Sequence, residues 1–113
     1  MAGDHVIEFT DANFETEVMQ SDKPVMVDFW AEWCQPCRRL APAVAEVAAQ
    51  FAGRAKVGKV DIEANREVTS KFDIQAIPTI VILKNGRVVE RFTGLRGSAE
   101  LSSALERAIE QAD

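Results

Sequence analysis

The apolar positions of the chain follow two rhythms, and the change between them marks out the elements. Residues 6–9 form a short strand-like run. Thr10 is placed to cap a helix over residues 11–20, in which Phe14 and Val18 lie one turn apart. After Pro24 comes Val25-Met26-Val27-Asp28-Phe29-Trp30, a dense run that suits a central strand buried on both faces. Leu40, Val44, Val47, Ala48 and Phe51 then recur at helical spacing, with Gly53 as a stop signal and Pro42 predicting a kink. Residues 56–62 read as a third strand, Val68 and Phe72 mark a short helix, and residues 80–83 form another buried strand. Asn85-Gly86 predicts a hairpin turn into residues 87–92. Ser98 is placed to cap a last helix with Leu101, Ala104, Leu105, Ala108 and Ile109 on one face. The order β-α-β-α-β-α-β-β-α implies an α/β domain: a mostly parallel sheet, helices on both faces, and a closing antiparallel hairpin. No linker, repeat or low-complexity tract interrupts it, so residues 1–113 are expected to form one domain.

Composition narrows what such a domain can do. Thirteen Lys and Arg against eighteen Asp and Glu leave a net charge of -5, which argues against binding nucleic acid or an anionic membrane surface. No apolar run reaches the roughly 18 residues of a membrane-spanning helix. Residues 1–9 include Asp4 and Glu8 and have no basic start or long apolar stretch, so no secretory signal and a cytoplasmic location are expected.

The only two cysteines stand three apart, in Cys34-Gln35-Pro36-Cys37, where a buried strand gives way to the longest helix. A helix N-terminus offers unpaired N–H groups and partial positive charge, which favour thiolate over thiol. Pro36 suits that first turn because it has no N–H to leave unsatisfied. Cys34, at the start expected to be exposed, is the better nucleophile; Cys37, one turn on, can close onto it. Other uses fit less well. A purely structural disulfide over so short a loop would add only ~2 kcal/mol. A zinc site needs four ligands, and His5 is the one further candidate, itself read as a solvated terminal residue. Covalent haem attachment wants His directly after the second Cys, where Arg38 stands. Redox chemistry with no metal is therefore preferred. Asp28 shares a strand face with Met26 and Trp30; if buried, its carboxyl is suited to accept and return a proton near neutral pH, the alternative being a strand-end Asp that reaches solvent. Arg38 and Arg39 either lend the site positive charge or form a solvated helical face.

These residues resemble the thioredoxin family. Trp33-Cys34-Gln35-Pro36-Cys37 within Asp28-Phe29-Trp30-Ala31-Glu32-Trp33 is similar to its active site, and Pro42, Val60-Asp61, Ile77-Pro78-Thr79, Lys84-Asn85-Gly86 and Gly94 agree in order and spacing. Gln35 departs from the usual Gly, as does Ala76. The resemblance implies the thioredoxin fold, a central mixed five-stranded sheet flanked by four helices. It implies a protein-disulfide reductase with Cys34 as nucleophile, Cys37 as resolving thiol, Asp28 in proton transfer for Cys37, Lys59 tuning Asp28, and a cis Pro78 beside the dithiol. Client proteins would meet Trp33, Gln35, Pro36, Ala76, Ile77, Thr93 and Gly94, with backbone near Pro78 open to strand addition. The chain would be a monomer, binding no cofactor beyond a redox-active Cys34–Cys37 disulfide, and a thioredoxin reductase, an NADPH-dependent flavoprotein, would reduce it again. Two rivals are an oxidase or disulfide isomerase, which work in oxidising compartments, and a binding module that uses the dithiol as a redox-gated docking surface.

Overall fold

Val25–Trp30 forms strand β2, and it lies in the middle of the sheet because its residues have almost no polar face to offer water. The computed structural model describes residues 4–111. On one side β2 pairs in parallel with β3 (Lys56–Asp61), which pairs in parallel with the short β1 (Ile7–Glu8). On the other side it pairs antiparallel with β4 (Thr79–Lys84), which pairs antiparallel with β5 (Arg87–Thr93). The sheet order is β1-β3-β2-β4-β5. Helices α1 (Gln35–Gln50), α2 (Arg66–Lys71) and α3 (Ser98–Glu110) and a π-helical segment (Glu15–Met19) cover it. This is the mixed five-stranded sheet with four helices that the resemblance implies.

The parallel part is smaller than the element order suggests, since β4 runs against β2. The register explains why: Trp30 pairs with Asp61 and Phe29 with Thr79, so β3 ends and β4 begins at the same end of the sheet. Six residues of α2 rise only ~9 Å, too little to carry the chain back along a strand of ~20 Å.

Alternation in β2 divides the core in two. Val25, Val27 and Phe29 pack with Phe9, Phe14, Val18, Val68 and Phe72 beneath α2 and the π-helical segment. Met26 packs with Leu40, Val47, Leu101 and Leu105 of α1 and α3. Asp28 and Trp30 therefore point to the α1 side. Gly58 in β3 is required by contact, because a Cβ there would lie 2.4 Å from the Ile7 carbonyl oxygen and 2.5 Å from the Phe9 ring. Asn85 and Gly86 turn the β4–β5 hairpin with φ of 53° and 77°, as the primed turn demands. A bulge between Ile82 and Leu83 shifts that pairing.

One predicted helix differs in its winding and another in its cap. Thr10 does cap: its Oγ1 accepts from the Asn13 N–H at 3.2 Å while Asn13 Oδ1 accepts from the Thr10 N–H at 2.7 Å. The turn that follows widens into a π-helix, with the Gln20 N–H bonding the Glu15 carbonyl at 3.0 Å. Ser98 does not cap α3. The Leu101 N–H already bonds the Gly97 carbonyl at 3.1 Å, so Gly97 is the cap and Ser98 the first helical residue. Helix α1 continues through Pro42, whose ring lies on the exposed side.

Candidate functional site

At the end of β2 the chain turns over buried Ala31 and enters α1 with Cys34 as its N-cap. The Cys34 N–H bonds the Ala31 carbonyl at 3.1 Å, and Cys34 Sγ accepts from the Cys37 N–H at 3.2 Å. The two cysteines are joined as a disulfide. The first turn of α1 carries no carboxylate to offset the helix dipole there. Gln35, Pro36, Arg38 and Arg39 are all exposed around it. Cys34 itself is not, which corrects the expectation of an exposed sulfur: it is only 4% accessible and Cys37 2%. The bond draws Cys34 onto Cys37, and Ile62 and Ile77 pack against the pair. Trp33 stands out at 63% exposed, and its indole Nε1–H donates to Glu63 Oε2 at 2.7 Å. Glu63 is held in turn by its own N–H on Asp61 Oδ1 at 2.9 Å.

Asp28 is buried at 3% accessibility, so the alternative of a solvent-reaching carboxylate does not hold. Its Oδ1 is a buried atom without a hydrogen-bond partner among the described residues. Burial pushes its carboxyl from 3.8 up to about 7, and the charge of Lys59 lowers it only in part. Lys59 is Asp28's register partner on β3 and sets its ammonium 4.2 Å from the centre of the Trp30 ring. A cleft of about 400 Å³ is lined by Asp28, Trp30, Cys37 and Lys59 beneath Glu32 and Arg38. The carboxyl and the inner sulfur thus border one space with ample room for water.

The second wall of the site comes from elsewhere in the chain. Ile77–Pro78 is a cis peptide bond just before β4. The Pro78 carbonyl accepts from the Gly94 N–H at 2.9 Å, and the Ala76 carbonyl accepts from Thr79 Oγ1 at 2.6 Å. The Ile77 peptide lies between these two anchored carbonyls. Ala76 and Thr93 are exposed, and Ile77 and Gly94 half-buried. A groove of about 310 Å³ runs from Trp33 past Ile62 and Ile74 to Ala76 and Ile77. The site thus brings Trp33, Cys34, Cys37, Ala76 and Ile77 together, with Thr93 and Gly94 at the end of β5 beside Thr79 and Pro78. Ile62, Glu63 and Ile74 are site residues that the sequence did not single out. For Ile62 and Ile74 the available signal is an apolar residue just outside a predicted element. His5 sits beside Lys23 and Ala52 at the far end of α1 from the cysteines. Among the described residues no group of three or more His, Cys, Asp and Glu is arranged to hold a metal.

A disulfide-bonded Cys-x-x-Cys pair at a helix N-terminus, with an apolar groove on one side and a buried carboxyl on the other, defines a thiol–disulfide oxidoreductase. The thioredoxin family profile matches residues 5–107, and the chain belongs to that family. It is 46% identical over 100 residues to "Thioredoxin 1" of a Nostoc species, covering 88% of this chain and 94% of that one. Over 106 residues it is 39% identical to "Thioredoxin" of Pseudomonas aeruginosa, covering 94% and 98%. A "Bifunctional thioredoxin reductase/thioredoxin" of Mycobacterium leprae is 42% identical over 103 residues, 91% of this chain and 22% of that one. The chain is a protein-disulfide reductase acting by thiol–disulfide exchange, and membership of the family implies renewal by a thioredoxin reductase. No helix among the described residues is long and apolar enough to cross a membrane.

Proposed function

We propose that the chain reduces client disulfides in two steps, with its residues in defined roles. The Cys34 thiolate attacks one sulfur of a client disulfide; a mixed disulfide forms, and the client's other sulfur leaves as a thiolate. Cys37 gives its proton to Asp28 through a water in the shared cleft and attacks Cys34. The bond to the client breaks, its second sulfur leaves as a thiolate that takes the proton held on Asp28, the first takes one from solvent, and Cys34–Cys37 is oxidised. Two electrons have passed from enzyme to client. Lys59 keeps the Asp28 carboxyl from rising further, so it can exchange its proton near neutral pH. Trp33, Gln35, Pro36, Ala76, Ile77, Thr93 and Gly94 receive the client, with the Ile77 peptide and Pro78 turning its backbone past the sulfurs. The enzyme works as a cytoplasmic monomer, one domain over residues 1–113, with no bound cofactor. Its electrons come from NADPH through a flavin-containing thioredoxin reductase.

The observation that carries this reading is Asp28: a buried carboxyl that titrates near 7, with an unpartnered oxygen, on the cleft that also reaches Cys37. Cys37→Ser tests the division of labour, since it abolishes resolution while attack persists. It is expected to accumulate mixed disulfides with clients, releasable by dithiothreitol, whereas Cys34→Ser captures almost none. Equal capture by both variants would remove the two-step assignment.

A further inference from the structure

The groove wall that carries Ile74, Ala76 and Ile77 belongs to no regular element. It leaves the short helix α2 and enters β4 at Thr79. A six-residue helix is marginal on its own, and its end groups need outside partners. Two charged side chains from distant segments supply them. Asp11 accepts from the Val68 N–H at 2.9 Å and the Glu67 N–H at 3.3 Å at the start of α2. At its end Arg91, from β5, donates through Nη1 to the Phe72 carbonyl at 2.7 Å and through Nη2 to the Asp73 carbonyl at 3.0 Å. Both charges suit the helix dipole.

The C-terminal clamp bears on the groove. Asp73 has φ of 52°, a left-handed conformation that a residue with a Cβ adopts reluctantly, and here the chain turns from α2 into the groove wall. Beyond it the Ala76 carbonyl is held by Thr79 and the Pro78 carbonyl by Gly94. The wall is thus pinned at two ends, by Arg91 at Phe72 and Asp73 and by the strand ends at Ala76 and Pro78. Without Arg91 the α2 end of the wall keeps only local bonds, from the Asp73 N–H to the Ser70 carbonyl at 3.0 Å and from the Ile74 N–H to the Thr69 carbonyl at 3.2 Å, and the Phe72 and Asp73 carbonyls lose their tie to β5. Bonding two successive carbonyls takes two donors in a fixed fork, which Arg has and Lys lacks. The sulfurs sit on α1, outside this chain of bonds.

We propose that Arg91 is a positioning residue for protein clients: by fixing where α2 hands the chain to the groove wall, it sets affinity for extended polypeptide rather than the rate of sulfur exchange. The proposal rests on the client-reduction reading above. It predicts a split between substrates. Insulin, whose disulfides lie in a polypeptide, needs the wall; hydroxyethyl disulfide, too small to span it, does not.

Arg91→Met keeps the apolar stem and removes both donors; Arg91→Lys keeps the charge but gathers its donors on one flexible nitrogen instead of a planar fork. With turnover coupled to a thioredoxin reductase, Arg91→Met is expected to raise KM for insulin about fivefold to tenfold with kcat within about twofold. Arg91→Lys is expected to fall between it and the parent. Turnover of hydroxyethyl disulfide and the rate of Cys34 alkylation should match the parent in both. A KM for insulin within about twofold of the parent in both variants, or an equal loss on both substrates, would overturn the proposal. Should Arg91→Met fail to fold, the Arg91→Lys values decide on the same criteria. A parent chain that turns over neither substrate would instead overturn the client-reduction reading itself.

Discussion

Replacing Asp28 by Asn should remove a pH dependence that the buried carboxyl imposes on folding. In the native protein this carboxyl ionises near 7 rather than at 3.8. Between those values the folded state holds a proton that the unfolded chain has released, so stability falls as pH rises through the window and is fully present only below it. At ~1.4 kcal/mol per tenfold difference in proton affinity, ionising Asp28 costs the fold about 4 kcal/mol once pH is well above 7. About 3 kcal/mol of that change falls between pH 5 and pH 8. Asn has nearly the same volume and does not ionise, so the dependence vanishes with the charge. Part of the gain at high pH is returned, since a buried amide without partners costs about 1–3 kcal/mol. The variant is therefore expected to be near the parent or below it at pH 5 and more stable at pH 8. Urea unfolding of both oxidised proteins at the two pH values measures the change in their difference, in which other titrating groups cancel. A difference that stays constant within about 0.5 kcal/mol would mean that Asp28 titrates alike in both states, and would remove the physical basis for its role with Cys37. In the reduced enzyme the same variant should slow insulin reduction near neutral pH without loss of the fold.

Two further outcomes concern the sulfurs. In the reduced protein limiting iodoacetamide near pH 7 should label Cys34 and spare Cys37, because the helix N-terminus favours the first thiolate and the second lies deeper; preferential labelling of Cys37 on peptide mapping would exchange their roles. Gln35 adds a neutral side chain beside the nucleophile and leaves the helix terminus unchanged, so the reduction potential should lie nearer the ~-270 mV of thioredoxin than the ~-180 mV of protein disulfide isomerase. Equilibration with glutathione gives the value, and one above ~-210 mV would favour an oxidase or isomerase.

What the sequence displays well is local. The apolar run of β2, the Cys-x-x-Cys at a helix start and the Asn-Gly turn each depend on neighbours a few residues away, and each is where the pattern puts it. Asp28 is legible for the same reason, as one acid inside an apolar run. What escapes depends on distant partners. No periodicity announces that Asp11 will bond the start of α2 or that Arg91 will bond its end. Glu63 reads as a surface acid until Trp33 is placed against it, 30 residues away in sequence. The direction of β4 depends on how far α2 travels, a length that Val68 and Phe72 alone do not define. The concealment of Cys34 depends on the bond it forms and on Ile62 and Ile77, which fold in from other segments.

The edges of the sheet have a consequence for a protein that handles extended chains. Every exposed strand edge is a potential template for aggregation, a hazard for any protein that acts on other polypeptides. Here one edge, β1, is two residues long. The other, β5, carries Arg87, Glu90 and Arg91, and its pairing with β4 is broken by the bulge. Short length, charge and irregularity all discourage a client from pairing along either edge. Strand pairing along both edges is thereby disfavoured, so an encounter at the sulfurs can end in release rather than in a growing stack of strands.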